Sequence, residues 1–281
     1  MNTELRRPEL RRSDLRLLGI WTRAGLRALV RTPRAAFFTF IFPAVLLVFV
    51  DGTSSGTVHG AGGRVDAAQY FTPSLAVFGL SFACYTSLIF AIPRARERGI
   101  LKRVRGTPVQ PSVYLGSLIA VGLLSGVGSV TLLVALGAAK FGVHLYSALL
   151  PAALVTLLAG GLCLCALGLA VSSFVSNAET APVVANITLL PLAFISGVFA
   201  PLHGAPQWLS SLASLFPLRH LVDAFSATFS PHTAGSGFAP GDLASLALWA
   251  VIGALVAVRR FRWEPVQGGG QREPHIRPAR R

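Results

Sequence analysis

Six apolar stretches alternate with short polar connections along this chain, and its cations gather on one set of those connections. Twenty-two of the 25 Lys and Arg residues fall in three blocks. The first is N-terminal (Arg6, Arg7, Arg11, Arg12, Arg16, Arg23, Arg27, Arg31, Arg34). The second is internal (Arg94, Arg96, Arg98, Lys102, Arg103, Arg105), and the third is the tail (Arg259, Arg260, Arg262, Arg272, Arg277, Arg280, Arg281). Basic residues crowded into short loops mark the cytoplasmic side of a membrane protein. The remaining cations, Arg64, Lys140 and Arg219, fall one in each of the intervening connections. The pattern predicts an all-α membrane protein with both termini cytoplasmic.

Composition agrees with that class. Hydrophobic residues make up 53% of the chain and charged residues 13%, about half the charged share of a soluble domain. The net charge of +14 flanks apolar segments instead of covering one folded face. It therefore suits anionic lipid headgroups and not nucleic acid. Cys84, Cys163 and Cys165 all lie inside apolar runs, where no disulfide is expected. Two of them are separated by one residue and point about 200° apart on a helix, a poor geometry for a shared metal.

Residues 1–34 read as a cytoplasmic N-terminus carrying an amphipathic helix over 13–32, with Ser13 as N-cap. Arg16, Arg23, Arg27, Arg31 and Arg34 form one stripe opposite Leu18, Trp21, Gly25 and Leu29. Such a helix lies in the membrane interface, and Pro33 turns the chain inward. The transmembrane domain, residues 35–258, contains predicted spans at 35–50, 70–93, 113–139, 147–175, 182–200 and 243–258. The first is only about 24 Å long at 1.5 Å per residue, and Arg34 and Asp51 can snorkel to make up the difference. Spans three and four are joined by a short loop and should pair, with Gly122, Gly126, Gly128, Gly160, Gly161 and Gly168 providing small faces. Pro182, Pro191 and Gly197 predict a kinked fifth span. Between spans five and six, two amphipathic stripes (Trp208, Leu209, Leu212, Leu215, Phe216, then Leu218, Leu221, Val222, Phe225, Phe229) predict an extracellular hairpin, re-entrant or interfacial. The tail, 259–281, is rich in Gly, Pro and Arg and reads as disordered.

Neither lysine completes a phosphate-cradling G-x-x-x-x-G-K-[ST] loop, because Leu101 precedes Lys102 and Ala139 precedes Lys140. No H-E-x-x-H or G-x-S-x-G pattern occurs. No charged residue sits near the centre of a span, which disfavours a proton-driven carrier. Sodium coupling through backbone carbonyls stays open. The chain reads as no enzyme, with no metal and no cofactor of its own.

The internal block runs Arg96-Glu97-Arg98-Gly99-Ile100-Leu101-Lys102-Arg103-Val104-Arg105-Gly106-Thr107-Pro108. It resembles the loop after the second span in type-2 ABC exporter permeases, usually E-R-E-x-G-T-L-E-R-L-R-x-T-P. Arg96, Glu97, Gly99, Leu101, Arg103, Arg105, Thr107 and Pro108 match, while Ala95, Ile100, Lys102 and Val104 depart. A second stretch, Ile195-Ser196-Gly197-Val198-Phe199-Ala200-Pro201 followed by Pro206, Trp208, Leu209, Phe216-Pro217-Leu218 and Val222-Asp223-Ala224, is similar to that family's fifth span and outer hairpin. The drug-exporting branch, daunorubicin-type permeases included, is the nearest in character.

The resemblance implies a homodimer of permease subunits in the bacterial plasma membrane, served by a separate ABC ATPase that binds ATP and Mg. Glu97, Arg98, Gly99, Leu101, Lys102 and Arg103 would form the coupling loop seated on that ATPase. Gly99 would allow a tight turn or a close approach, and Glu97 and Arg103 would pair with charges on the partner. Lys102 reverses the charge of the family's usual Glu. Asn186, Phe194 and Phe199 are candidates to line a path between the two subunits, or they face lipid and core. Trp208, Arg219 and Asp223 are candidates for an extracellular gate; Arg219 and Asp223, at i and i+4, equally read as a plain surface pair. The expected cargo is a hydrophobic small molecule moved outward. The rival readings are an ATPase-independent carrier or channel, and ABC export of a lipid or glycan.

Overall fold

A computed structural model describes residues 12–53, 56–60, 63–106, 110–201, 206–230, 233 and 235–260. The expectations for the tail beyond Arg260, for Thr107 and Pro108, and for the side chain of Ser13 lie outside the described residues. Helix α1 (Arg12–Arg31) is followed by α2 (Pro33–Ala36), a π-helical turn at Phe37–Ile41, and α3 (Phe42–Thr53). Pro33 does more than end α1: it occupies the first turn of α2, where its missing N–H costs nothing. A two-stranded antiparallel hairpin follows, β1 (Thr57–Gly60) with β2 (Gly63–Asp66), the one departure from an all-helical chain among the described residues.

Helix α4 (Ala67–Ser81) passes through a second π-helical turn at Phe82–Thr86 into α5 (Ser87–Glu97). Together they make one 31-residue helix, longer at both ends than the span expected at 70–93. The rest are α6 (Ile100–Arg105), α7 (Pro111–Phe141), α8 (Leu150–Ser172), α9 (Ala181–Ile195), α10 (Gln207–Ala213), α11 (Pro217–Ala227) and α12 (Pro240–Arg260). Among the described residues five helical stretches are long and apolar enough to cross a membrane: Pro33–Val50, Ala67–Glu97, Ser112–Phe141, Ser147–Ser172 and Pro240–Arg260. The sixth, α9, has 15 residues, about 22 Å at 1.5 Å per residue. It stops five residues before the expected 200 because Gly197 adopts φ 82° and Val198 N–H donates back to the Ala193 carbonyl at 3.3 Å. The helix runs unbroken through Pro191.

The long α4–α5 helix is the axis of the bundle. Its Phe78, Leu80, Leu88, Ile89 and Ile92 are fully buried. Helix α7 runs antiparallel to it: Thr72 lies at Gly137, Ser129 at Gly79, and Ala83 at Gly122. Helix α8 lies on another side, with Gly161 near Cys84 and Gly168 against Tyr85 and Leu88. The glycines of α7 and α8 therefore serve mainly the central helix and α11, and less the α7–α8 pairing expected from their short loop. A Cβ on Gly168 would fall 2.8 Å from the Tyr85 carbonyl, and one on Gly122 would fall 3.2 Å from that of Ala83. Both touch the backbone of the π turn, where small residues let helices approach closely. Helix α12 packs beside α8 through Gly253, and α1 packs along α7 through Gly25 and Trp21. Cys84, Cys163 and Cys165 are free and buried.

Candidate functional site

Helix α5 ends in the basic block, so Arg94, Arg96 and Glu97 belong to its last turn and not to a loop. The chain then reverses at Gly99, whose φ of 65° is left-handed, and restarts as α6. Gly99 N–H donates to the Arg96 carbonyl at 3.1 Å, and Arg103 N–H donates to the Gly99 carbonyl at 3.0 Å. A Cβ on Gly99 would meet nothing within 4 Å. Of the two reasons for a glycine here, the turn is the operative one. Leu101 is fully buried and Val104 nearly so, which pins α6 to the bundle and leaves Lys102 and Arg103 exposed beside Glu97 and Arg98.

A second segment joins this platform. The Arg96 guanidinium is buried and donates to the Val175 carbonyl at 2.9 Å. The Glu97 carboxylate accepts the Ala178 N–H at 2.6 Å. Asn177 Oδ1 accepts from Thr180 N–H at 2.9 Å and from its hydroxyl at 2.7 Å, closing the turn that leads into α9. On the other flank the Arg260 guanidinium lies 5.8 Å over the Phe174 ring. Glu97, expected to meet a charge on a partner, already binds the 173–180 turn within its own chain. Sequence reasoning missed Arg96, Val175, Ala178 and Asn177 as parts of this surface. The motif match at Arg96 and Glu97 was the available signal; their partners lie about 80 residues away and carry no pattern.

The path candidates sit on α9 and just beyond it. Ala181, Ala185, Leu189 and Ala193 face the bundle, and Tyr85 hydroxyl donates to Thr188 Oγ1 at 2.8 Å to tie α9 to the central helix. The opposite face, with Val183, Asn186, Ile187, Leu190 and Phe194, is exposed. Asn186 and Phe194 thus point out of the protomer. Phe199 instead turns inward, its ring 5.2 Å from that of Phe78 and 4.8 Å from that of Phe194.

At the other end of the bundle, Gln69 in the first turn of α4 ties two connections together. Its Nε2 donates to the carbonyls of His144 (3.0 Å) and Phe229 (2.6 Å), and its Oε1 accepts the His144 N–H (2.9 Å). Tyr70 hydroxyl donates to the Gly197 carbonyl at 2.8 Å. The two helices between α9 and α12 differ from each other. Helix α11 buries Leu218, Leu221, Val222 and Phe225, while α10 buries only Ala213 and leaves Trp208 67% exposed. The Arg219 guanidinium pairs with the Asp223 carboxylate at 2.5 Å. Burial raises the Asp223 carboxyl above its usual range, and Arg219 opposes the shift. His220, which had no predicted role, spans Asp242 Oδ1 (2.7 Å) and the Ser214 carbonyl (2.9 Å), and Trp249 Nε1–H donates to the Leu215 carbonyl (3.2 Å). Trp208 and the Arg219–Asp223 pair share this end, the coupling residues share the opposite one, and α9 lies between. Among the described residues no group of three His, Cys, Asp or Glu side chains is placed to hold a metal ion.

The sequence profile described as ABC-2 type transporter matches residues 16–230. A 161-residue stretch is 24% identical to the proteins named probable multidrug ABC transporter permease YbhR in Escherichia coli K12 and in Escherichia coli O157:H7. That stretch covers 57% of this chain and 43% of either relative, so the chain spans less than half the length of the curated relatives it matches.

Proposed function

Because the chain belongs to the ABC-2 type transporter family and is a multi-pass integral membrane protein, we propose that it is the permease subunit of an ATP-driven exporter that moves a hydrophobic small molecule out of the cell. The observation that carries this reading is the α6 platform. Gly99 presents a six-residue helix with Leu101 and Val104 anchored and Lys102 and Arg103 outward, braced by Glu97 against the 173–180 turn. A stiff, charged knob of this kind transmits a push from a soluble motor into α5, the central helix. The motor is a separate ABC ATPase that binds ATP and Mg and hydrolyses the ATP. The platform end, where α1, α6 and the last turn of α12 bring their described cations together, faces the cytoplasm together with both termini. Helix α1 lies in the headgroup layer with Arg16, Arg23, Arg27 and Arg31 toward the lipid phosphates.

In this arrangement α9 is the sixth crossing, extended by buried Ser196, Gly197 and Val198, and α10 and α11 form a hairpin on the outer face. A second copy of the chain pairs along the exposed face of α9, so that Asn186 and Phe194 look onto a path between protomers. Trp208, Arg219 and Asp223 stand at its outer mouth. The multidrug description of the relatives supports a hydrophobic cargo.

The test is co-purification with a cognate ABC ATPase and measurement of its ATP hydrolysis in proteoliposomes. Proline at 99 cannot adopt positive φ and loses the N–H bonded to Arg96. Gly99→Pro is therefore expected to lower coupled transport at least about tenfold. The double substitution Lys102→Glu/Arg103→Glu is expected to weaken the complex without lowering the melting temperature of the permease. If both variants assemble and transport like the parent, the coupling assignment is wrong. Transport by the purified chain in vesicles lacking any ATPase would favour a carrier or channel. Selective transport of a lipid or glycan would move the cargo class.

A further inference from the structure

An apolar groove of about 480 Å³ runs between α7, α8 and α12, in the half of the bundle next to the basic end. Leu115 and Ile119 form one wall, Leu162 and Ala166 the floor, and Ala254 and Val258 the other wall. Its origin lies in how α12 is written. Gly253 lets α12 touch α8 so closely that a Cβ there would fall 2.9 Å from the Ala166 carbonyl carbon. Beside that contact α12 places Ala250, Ala254 and Ala257, whose short side chains leave the space unfilled. The groove opens outward, since Leu162 is 50% and Val258 82% exposed.

At this depth the surroundings are hydrocarbon, and an open apolar groove beside lipid holds something as apolar as its walls. The end of the groove identifies the head of that occupant. Val258 is followed at once by Arg259 and Arg260, both exposed at the last turn of α12. The carbonyl end of a helix repels anions, so these two guanidinium groups are the local attraction for a phosphate. A chain-shaped apolar slot that ends at paired cations at headgroup height matches a lipid with a negative headgroup.

We infer that this groove holds one acyl chain of an anionic phospholipid, its phosphate seated on Arg259 and Arg260. The groove shares no lining residue with α6 or the α9 face, although Arg260 at its end also lies over Phe174 beside the platform, and it stands whatever compound the protein transports.

The experiment is native mass spectrometry of the full-length chain released from micelles containing equal amounts of phosphatidylglycerol and phosphatidylcholine. The parent is expected to retain phosphatidylglycerol about fivefold or more over phosphatidylcholine, the preference one added cation near a headgroup gives. Ala254→Phe fills the groove and should lower phosphatidylglycerol retention severalfold. Arg259→Gln/Arg260→Gln should bring it down to the phosphatidylcholine level. If Ala254→Phe does not yield folded protein, Ala250→Leu fills the other end of the same groove and reads the same quantity. Equal retention of the two lipids by the parent overturns the inference, as does unchanged retention in the groove-filling variant. Conversion of a dimer to monomer by Ala254→Phe with lipid retention intact also overturns it, and would make the groove an interface between copies.

Discussion

Two helices of equal mean hydropathy are used in opposite ways. In its most apolar stretch the helix Ala67–Glu97 is 78% buried, and Pro33–Val50 is 17% buried. Hydropathy puts both in the bilayer, where an outward-facing Phe costs no more than a buried one. What separates them is the small and hydroxyl-bearing residues. The central helix carries Gly79 and buried Thr72, Ser74, Ser81 and Thr86. Two of its hydroxyls are satisfied locally, Ser74 donating to Tyr70 and Ser81 to Val77 one turn back. Pro33–Val50 shows Phe37, Phe38, Ile41, Val45, Val48 and Phe49 outward. It buries Thr39 where the chain meets α7: the Thr39 carbonyl accepts the Ser129 hydroxyl at 2.6 Å. In hydrocarbon, small polar residues mark the protein-facing side and bulk apolar residues mark neither.

The largest expected effect tests the central helix directly. Gly168→Leu drives a side chain into the Tyr85 backbone, with a carbonyl oxygen at 2.8 Å and Cα at 3.2 Å, and backbone cannot swing aside. A loss of more than about 3 kcal/mol is expected, seen as aggregation on size-exclusion chromatography. Val45→Leu, on the outward face of α3, should leave the elution profile and melting temperature unchanged. If the two variants behave alike, the division between axis and periphery fails. Next in size is Arg96→Leu, which removes the donor to the buried Val175 carbonyl and should cost about 2 kcal/mol, read as a lower melting temperature in detergent. Smaller still is Tyr85→Phe. Its hydroxyl joins the central helix to Thr188, and its loss should cost about 1 kcal/mol and speed hydrogen exchange in α9 more than in α7.

These positions also mark where the sequence is legible. Apolar runs and basic blocks locate the long helices, because lipid forces backbone satisfaction within each span. Glu97 and Gly99 announce the α5–α6 reversal through a motif and a residue type. The π turn over Phe82–Thr86 has no signature in Phe-Ala-Cys-Tyr-Thr; it arises where two glycines of other helices press on its backbone. Arg96 reads like its basic neighbours, yet it is buried and donates to the Val175 carbonyl. The direction of the α7 and α8 glycines was missed for a related reason. A small face shows that a helix will be approached closely, and its register with a third helix decides by which one. Glu97 meeting Ala178 is a pairing across 81 residues that no local pattern encodes.

The smallest stability effect carries the sharpest functional contrast, on the two faces of α9. Ala185 is fully buried against the bundle, while Asn186, one residue on, is exposed. Ala185→Leu must overpack and should cost about 1–3 kcal/mol. Asn186→Ala trims an exposed side chain and should shift stability by less than about 0.5 kcal/mol. Asn186 places a polar amide among exposed Val183, Ile187, Leu190 and Phe194, where it is open to whatever that face meets. Substrate transport by Asn186→Ala should therefore fall severalfold at unchanged melting temperature, with a matching change in substrate-stimulated ATP hydrolysis. If transport stays at the parent level, Asn186 faces lipid and lines no transport path.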